Sequence, residues 1–134
     1  MTQAIAYRCT PDVIRDVIAP GKIGAYALGN MENEEFSIKY IGRSDKSLRN
    51  RLLSHNYMYH FDYFIFQCTT TVEEAFKLEA KWWHSCRMNH VKIVNRIHPD
   101  SPNEMNLRCP YCNFSYHLSQ LLNKRTFSNQ YKTA

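Results

Sequence analysis

Three stretches of the chain carry apolar residues at the three-to-four-residue spacing of an amphipathic helix. These stretches are residues 11–19, 45–55 and 72–87. Each follows a residue that can cap a helix: Thr10 before a proline, Ser44 or Asp45, and Thr71 in the capping box Thr71-Val72-Glu73-Glu74. The spacing therefore predicts three helices, the third being the longest and the best defined.

Segments rich in β-branched and aromatic residues lie between these helices at Ile23–Leu28, Phe36–Gly42 and Tyr59–Cys68. A polar stretch from Gly29 to Glu34 separates the first two, which predicts a β-hairpin. The order is helix, hairpin, helix, strand, helix. It predicts an α/β (α+β) fold with a small central antiparallel three-stranded sheet flanked by helices.

The periodicity weakens after Asn89, where Pro99, Pro102 and Pro110 mark an irregular segment. A short helix is predicted at residues 118–122, and the last dozen residues carry no pattern. The length of 134 residues suits one domain. We expect a single domain over 1–134, with a compact core at 22–96 and an irregular C-terminal extension at 97–134.

The net charge is +5 and the pI is about 9.0, which fits a polyanionic partner. Four basic residues cluster in one short segment: Arg43, Lys46, Arg49 and Arg51. No apolar run approaches the roughly 20 residues that a membrane span needs. The charged N-terminal residues do not form a signal peptide. We therefore expect a cytoplasmic protein without a membrane partner.

One acidic residue of the third predicted helix, Glu79, lies in the middle of an apolar stripe. At about 100° per residue, six apolar or thiol side chains fall within about 60° of it: Val72, Ala75, Phe76, Trp82, Trp83 and Cys86. A buried carboxylate is costly unless it meets a cation, a metal or several hydrogen-bond donors. Two interpretations stay open: a functional carboxylate, or a structural one paired with a core tyrosine or arginine.

The residues Gly24-Ala25-Tyr26 and Tyr40-Ile41-Gly42 lie in the two hairpin strands, and Arg51-x-x-x-His55 lies in the helix that follows. Ala75-Phe76-Lys77-Leu78-Glu79 and then Asn95 come later. This ordered set, spanning Ile23 to Asn95, resembles the GIY-YIG endonuclease family. Ala25 replaces the isoleucine of the first family motif. Because Ala25 and Tyr26 face opposite sides of a strand, that change affects packing and not the reacting side chain.

The resemblance implies a metal-dependent DNA endonuclease that hydrolyses phosphodiester bonds. In that reading Glu79 holds Mg²⁺ or Mn²⁺, Tyr26 or Tyr40 takes the proton of the attacking water, and His55 assists the base or contacts phosphate. The same reading has Arg43 and Arg51 lower a tyrosine pKa and contact phosphate. The nucleic-acid contacts expected with it are Arg43, Lys46, Arg49, Arg51 and Asn95. Strong sequence specificity in so short a chain would need a partner or a homodimer.

The five cysteines do not read as a disulfide framework, because the count is odd and no signal peptide precedes them. Cys109 and Cys112 form a C-x-x-C pair, which suits half a zinc site, a free thiol pair or a disulfide. Cys86 and His90 are four residues apart on one helix and would complete a structural zinc site. The alternative histidine ligands are His84, His98 and His117.

Two further classes of function compete with the nuclease. One is a non-catalytic nucleic-acid-binding zinc module, in which the basic segment and the C-x-x-C segment do the binding. A carboxylate at Glu79 has no purpose in such a module, which favours the nuclease. The other class, a thiol oxidoreductase, is disfavoured because Cys109 and Cys112 lie in a proline-rich segment and not at a helix start after a strand.

Overall fold

The computed structural model describes residues 4–55, 60–95, 97–102, 105–112 and 131–133. The elements follow in the order β1 (Ala4–Arg8), α1 (Pro11–Val17), β2 (Ile23–Glu32), β3 (Glu35–Ser44), α2 (Leu48–Ser54), β4 (Tyr63–Thr69), α3 (Val72–Met88), a 3₁₀ turn (Pro110–Cys112) and β5 (Tyr131–Thr133). Among these described residues, no helix has both the length and the apolar character needed to cross a bilayer.

The strands form one sheet in the order β3-β2-β4-β1-β5. The first four strands of that order are antiparallel, and β5 runs parallel to β1. The predicted antiparallel core and the α+β class are confirmed, but the predicted count of three strands is wrong. The alternation in β1 is only five residues long, with Ala6 buried and Ile5 exposed. So short an alternation is a weak strand signal until β4 supplies its hydrogen-bonding partner.

The β2–β3 hairpin is longer and tighter than predicted. Its strands pair out to Glu32 and Glu35, so that only Asn33 and Glu34 remain in the turn. Both turn residues have positive φ, 53° and 66°, which is the backbone of a two-residue turn suited to the twist of a hairpin. A register shift between Leu28 and Gly29 separates this pairing from the rest of the hairpin, in which Tyr26 lies opposite Gly42.

Helices cover both faces of the sheet. One face packs α1 and α2 against a cluster that includes Tyr26, Leu28 and Phe64. The other face packs α3 through Trp82, Trp83 and Cys86. Because β3 is an edge strand, side chains from both faces can reach the space beside it. That edge is where the predicted site residues of the hairpin, α2 and α3 come closest together.

The predicted helix starts are confirmed at two of three places. The Thr10 hydroxyl accepts a hydrogen bond from the Val13 N–H, and Thr71 and Glu74 form both halves of the capping box. The second helix begins later than predicted, with Ser47 as its N-cap. The Ser44 hydroxyl instead accepts hydrogen bonds from the Lys46 N–H at 3.3 Å and the Ser47 N–H at 2.9 Å. The helix predicted at 118–122 lies outside the described residues.

Candidate functional site

An ion-pair network links the end of β3 to α3. The Arg43 guanidinium donates from Nη1 to Glu79 Oε1 at 2.6 Å and from Nε to Asp45 Oδ1 at 2.9 Å. The Arg43 and Glu79 side chains are only 12% and 11% exposed. The Phe76 ring lies against the guanidinium, and its centroid is 5.4 Å from Arg43 Cζ. Glu79 is therefore buried as predicted, and Arg43 is the partner that makes its burial tolerable.

Burial raises the pKa of Glu79 to about 7, although Arg43 opposes that shift. A lone carboxylate fits the way Mg²⁺ is often held, through one or two carboxylates with water and substrate phosphate as the other ligands. The Arg43 bond engages only Oε1. Both interpretations of Glu79 are thus compatible with this network, and a cation at Glu79 would share the carboxylate with Arg43.

Tyr26, Tyr40 and His55 form an aromatic cluster on the opposite face of the sheet. The ring centroids of Tyr40 and His55 are 4.6 Å apart, those of Tyr26 and His55 are 5.6 Å apart, and those of the two tyrosines are 6.2 Å apart. The Arg51 side chain interacts with both phenols, which raises the pKa of Arg51. The structure thus brings together the four residues that the two tyrosine motifs and the α2 motif contributed.

The Tyr26 hydroxyl is buried and has no hydrogen-bond partner of normal geometry among the described residues. Burial raises the pKa of Tyr26 above its usual range, Tyr40 and Glu79 add to the shift, and Arg51 opposes it. A Cβ at Gly42 would lie 2.6 Å from Tyr26 Oη. The glycine of Tyr40-Ile41-Gly42 therefore leaves room for the Tyr26 phenol, which is a specific reason for that residue type.

His55 is buried at 7% exposure. Burial lowers the pKa of His55 to about 4, and the Arg51 charge contributes. The ring is therefore neutral at pH 7. A neutral imidazole can exchange protons or accept a hydrogen bond, but it does not offer phosphate a positive charge.

The neutral burial of His55 predicts a specific acid sensitivity. A histidine whose pKa is lower in the folded than in the unfolded chain contributes full stability above pH 6.5, and that contribution is lost as the pH falls towards 4. Between pH 7 and pH 4, urea unfolding should show wild type losing roughly 3 kcal/mol more stability than His55→Gln. His60→Gln, which changes an exposed ring, should behave as wild type. Equal losses for all three proteins would contradict the neutral state of His55.

A basic cleft of about 590 Å³ opens beside the end of β3. It is lined by Arg43, Ser44, Asp45, Lys46, Ser47, Asn50, Arg51, Ser54, Val72, Pro102 and Met105. Glu79 and the two tyrosines are not among its lining residues, whereas their partners Arg43 and Arg51 are. Arg49 lies elsewhere, donating to the Arg15 carbonyl at 2.5 Å. Three of the four clustered cations thus share one cleft.

Asn95 uses its side-chain amide on the backbone of β3. Its Oδ1 accepts from the Ile41 N–H at 3.2 Å, and its Nδ2 donates to the Ile41 carbonyl at 2.6 Å. The Asn95 carbonyl accepts from Trp83 Nε1 at 3.1 Å. These bonds indicate that Asn95 holds the Tyr40-Ile41-Gly42 strand in place, while the nucleic-acid contact expected of it has no support in this geometry.

A second cluster lies at the other end of α3. His84, His98, Cys109 and Cys112 each offer one ligand atom, and all four atoms lie within 4.8 Å of one another. His84 Nε2 is 3.1 Å from His98 Nε2, 3.5 Å from Cys109 Sγ and 3.4 Å from Cys112 Sγ. Tetrahedral zinc would separate two nitrogens by about 3.3 Å, and a nitrogen from a sulfur by about 3.5 Å. The spacing is therefore that of a four-coordinate metal site.

The His98 ring is held in a tautomer that suits a metal. Its Nδ1 lies 2.7 Å from the Pro99 carbonyl, which can only accept. The proton therefore belongs on Nδ1, and the Nε2 lone pair is left for a metal. His84 is buried, His98 and Cys109 are half-buried and Cys112 is exposed, so the site lies just beneath the surface.

The predicted helix ligands, Cys86 and His90, are wrong, whereas Cys109, Cys112 and the alternative ligands His84 and His98 meet in the cluster. Cys86 is fully buried in the apolar cluster under α3, and burial raises its pKa to about 12. His90 lies beyond α3 at a φ of 57° and is exposed. The i, i+4 spacing identified a shared helix face, but that face is not the one the extension crosses. The other alternative, His117, lies outside the described residues.

Comparison of the chain with protein-family models, with curated proteins and with solved structures finds no match. The assignment of function therefore rests on the chemistry of the two clusters and the cleft.

Proposed function

We propose that the chain is a metal-dependent DNA endonuclease of the GIY-YIG type. The observation that carries the proposal is the position of Arg51. Its guanidinium interacts with both motif tyrosines and also lines the open basic cleft. Arg51 also lowers the pKa of Glu79, so the carboxylate lies within its electrostatic reach. A phosphate in the cleft would thus meet a planar cation backed by two phenols and a carboxylate.

The residues divide the work of hydrolysis according to their burial. Tyr40 is half-buried and is the proposed base for the attacking water. Tyr26 keeps its proton, because burial raises its pKa, and its hydroxyl, which makes no hydrogen bond of normal geometry among the described residues, is the proposed donor to the water or to the phosphate. Arg51 and Lys46 hold the phosphodiester. Mg²⁺ or Mn²⁺ held by Glu79 would stabilise the developing charge on the leaving oxygen.

The direct test is incubation of the purified chain with supercoiled plasmid and Mg²⁺ or Mn²⁺. We expect conversion to open-circular and linear forms that stops when the divalent cation is chelated. The protein tested must be folded and must carry the metal of the His84, His98, Cys109 and Cys112 cluster. If such protein converts no plasmid under any of these conditions, the result counts against the nuclease.

A non-catalytic nucleic-acid-binding module is the second candidate. The Arg43–Glu79 pair favours it, because a carboxylate held at 2.6 Å by an arginine can serve structure alone. The two candidates share the basic cleft and differ only in cleavage. Binding of DNA without cleavage, at any divalent cation concentration, would establish the module.

We further propose that the metal of the His84, His98, Cys109 and Cys112 cluster is Zn²⁺, because two histidines and two cysteines in tetrahedral spacing are a preferred ligand set for that ion. Four protein ligands leave no open position, so this zinc is structural. The same ligand set argues against a thiol oxidoreductase, because a four-coordinate zinc would occupy both thiols of the C-x-x-C pair.

Elemental analysis of protein purified without chelator should find about one zinc per chain. Cys109→Ser should reduce the zinc content to near zero and lower the melting temperature, since structural zinc contributes on the order of 10 kcal/mol in small domains. The matched control is Cys68→Ser, which changes an exposed cysteine outside the cluster. Zinc well below one equivalent in wild type, or identical melting of both variants, would reject the site.

A further inference from the structure

We infer that the His84, His98, Cys109 and Cys112 cluster, when it holds its metal, closes a loop that forms one wall of the basic cleft and contacts the DNA bound there. The inference rests on the proposed function for the identity of the ligand. The loop runs from His98 to Cys109 and is called the metal-closed loop below. Both of its ends are ligand positions, and its described part reaches the cleft through Pro102 and Met105.

The metal-closed loop has internal order between its ends. Ser101 Oγ accepts from the Leu107 N–H at 3.0 Å and donates to the Met105 carbonyl, while the Met105 N–H donates to the Pro102 carbonyl at 3.1 Å. Pro102 is buried. Because the described residues of the loop form no helix or strand before the 3₁₀ turn, fixing both ends at one metal removes much of the conformational freedom that the loop would otherwise have.

The wall complements the opposite side of the cleft. Lys46 and Arg51 supply positive charge for phosphate, whereas Pro102 and Met105 are apolar. Met105 is 38% exposed, which leaves it available for contact. A DNA strand offers charged phosphates on one side and sugar and base surface on the other. The two sides of the cleft match these two kinds of surface. We therefore assign Met105 to substrate contact, outside the reacting groups.

The experiment compares two exposed apolar residues of the extension, of which one lines the cleft. Met105→Glu places a carboxylate on the wall, and Ile97→Glu places one at an 82% exposed position outside the cleft lining. Binding of a short labelled DNA duplex, measured by fluorescence anisotropy without Mg²⁺, should weaken about tenfold for Met105→Glu and less than about twofold for Ile97→Glu. Zinc content should stay at the wild-type level in both.

A second pair of variants tests the dependence on metal. His98→Asn removes a ligand, and His60→Asn makes the same change at an exposed histidine outside the cluster. His98→Asn should weaken DNA binding about tenfold, and it should speed hydrogen exchange of the Met105 and Leu107 amides. His60→Asn should do neither. In the cleavage assay the loss should appear in the DNA concentration needed for half-saturation, with the saturated rate little changed.

The outcomes separate this inference from the proposed function. One outcome is that wild type binds and cleaves DNA while Met105→Glu and Ile97→Glu bind it with equal affinity. In that case the assignment of Met105 to DNA contact is wrong, and the proposed nuclease stands. If the Met105 and Leu107 amides exchange equally fast with and without metal, the closure of the loop is wrong. If wild type binds no DNA, the proposed function and the substrate contact both fall, and exchange alone decides whether the metal orders the loop.

Discussion

Glu79→Gln should reduce the single-turnover rate of plasmid cleavage on the order of 10³-fold while DNA affinity stays within a few-fold of wild type. The amide keeps the shape of the side chain and removes the charge that would hold a cation. Because Glu79 is outside the lining of the basic cleft, the change leaves the phosphate contacts of Lys46 and Arg51 in place. Glu73→Gln, on the same helix but half-exposed, is the matched control and should cleave normally.

The same substitution removes one of the two carboxylate partners of buried Arg43 and leaves only Asp45, which is destabilising. Cleavage must therefore be measured at a temperature where the variant is folded. The double variant Arg43→Gln/Glu79→Gln removes both members of the buried pair and should recover part of the stability without recovering cleavage. Recovery of cleavage in the double variant, or a wild-type rate for Glu79→Gln alone, would show that the glutamate serves only to neutralise Arg43.

Tyr26→Phe and Tyr40→Phe should each slow cleavage by about 10²- to 10⁴-fold, the usual contribution of a positioned proton-transfer group. For Tyr26 the structure adds a second expectation. Its hydroxyl has no partner of normal geometry among the described residues, so removing it should leave stability unchanged or raise it. A tyrosine that loses activity while gaining stability is one retained for chemistry.

Tyr63→Phe on β4 is the control, since Tyr63 is half-buried like Tyr40 but outside the aromatic cluster. All three variants should be compared in one assay, with unfolding followed by denaturant titration. Near-normal rates for both Tyr26→Phe and Tyr40→Phe would leave the mechanism without a base and would favour the binding module.

Local signals in the sequence were sufficient for the elements that depend on neighbouring residues. Thr10, Thr71 and the amphipathic spacing of α3 each act within a few residues, and each predicted element is present. Ser47 replaced Ser44 as the cap of α2 because β3 continues to Ser44. Where a strand ends depends on its partner, which no short window of sequence contains.

The site residues show the same contrast between features that depend on neighbouring residues and features that depend on distant partners. The apolar stripe predicted that Glu79 is buried, but its partner Arg43 is 36 residues away and was expected to lower a tyrosine pKa and to contact phosphate. The C-x-x-C pair marked a metal site, yet the choice between His84 and Cys86 depends on which face of α3 the extension crosses. These two side chains are about 200° apart around the helix and point to different faces of it. The sequence of α3 alone therefore does not decide which of them is the ligand.

The contacts of residues 94 and 95 with β3 have a consequence for self-association. A sheet edge with unsatisfied backbone groups invites another chain to add a strand. The Val94 N–H donates to the Lys39 carbonyl at 2.6 Å, and the Asn95 amide takes both backbone groups of Ile41. The middle of the edge strand is thus already occupied from within the molecule. A second copy of the chain therefore cannot add a strand along the middle of β3 unless these contacts are first broken.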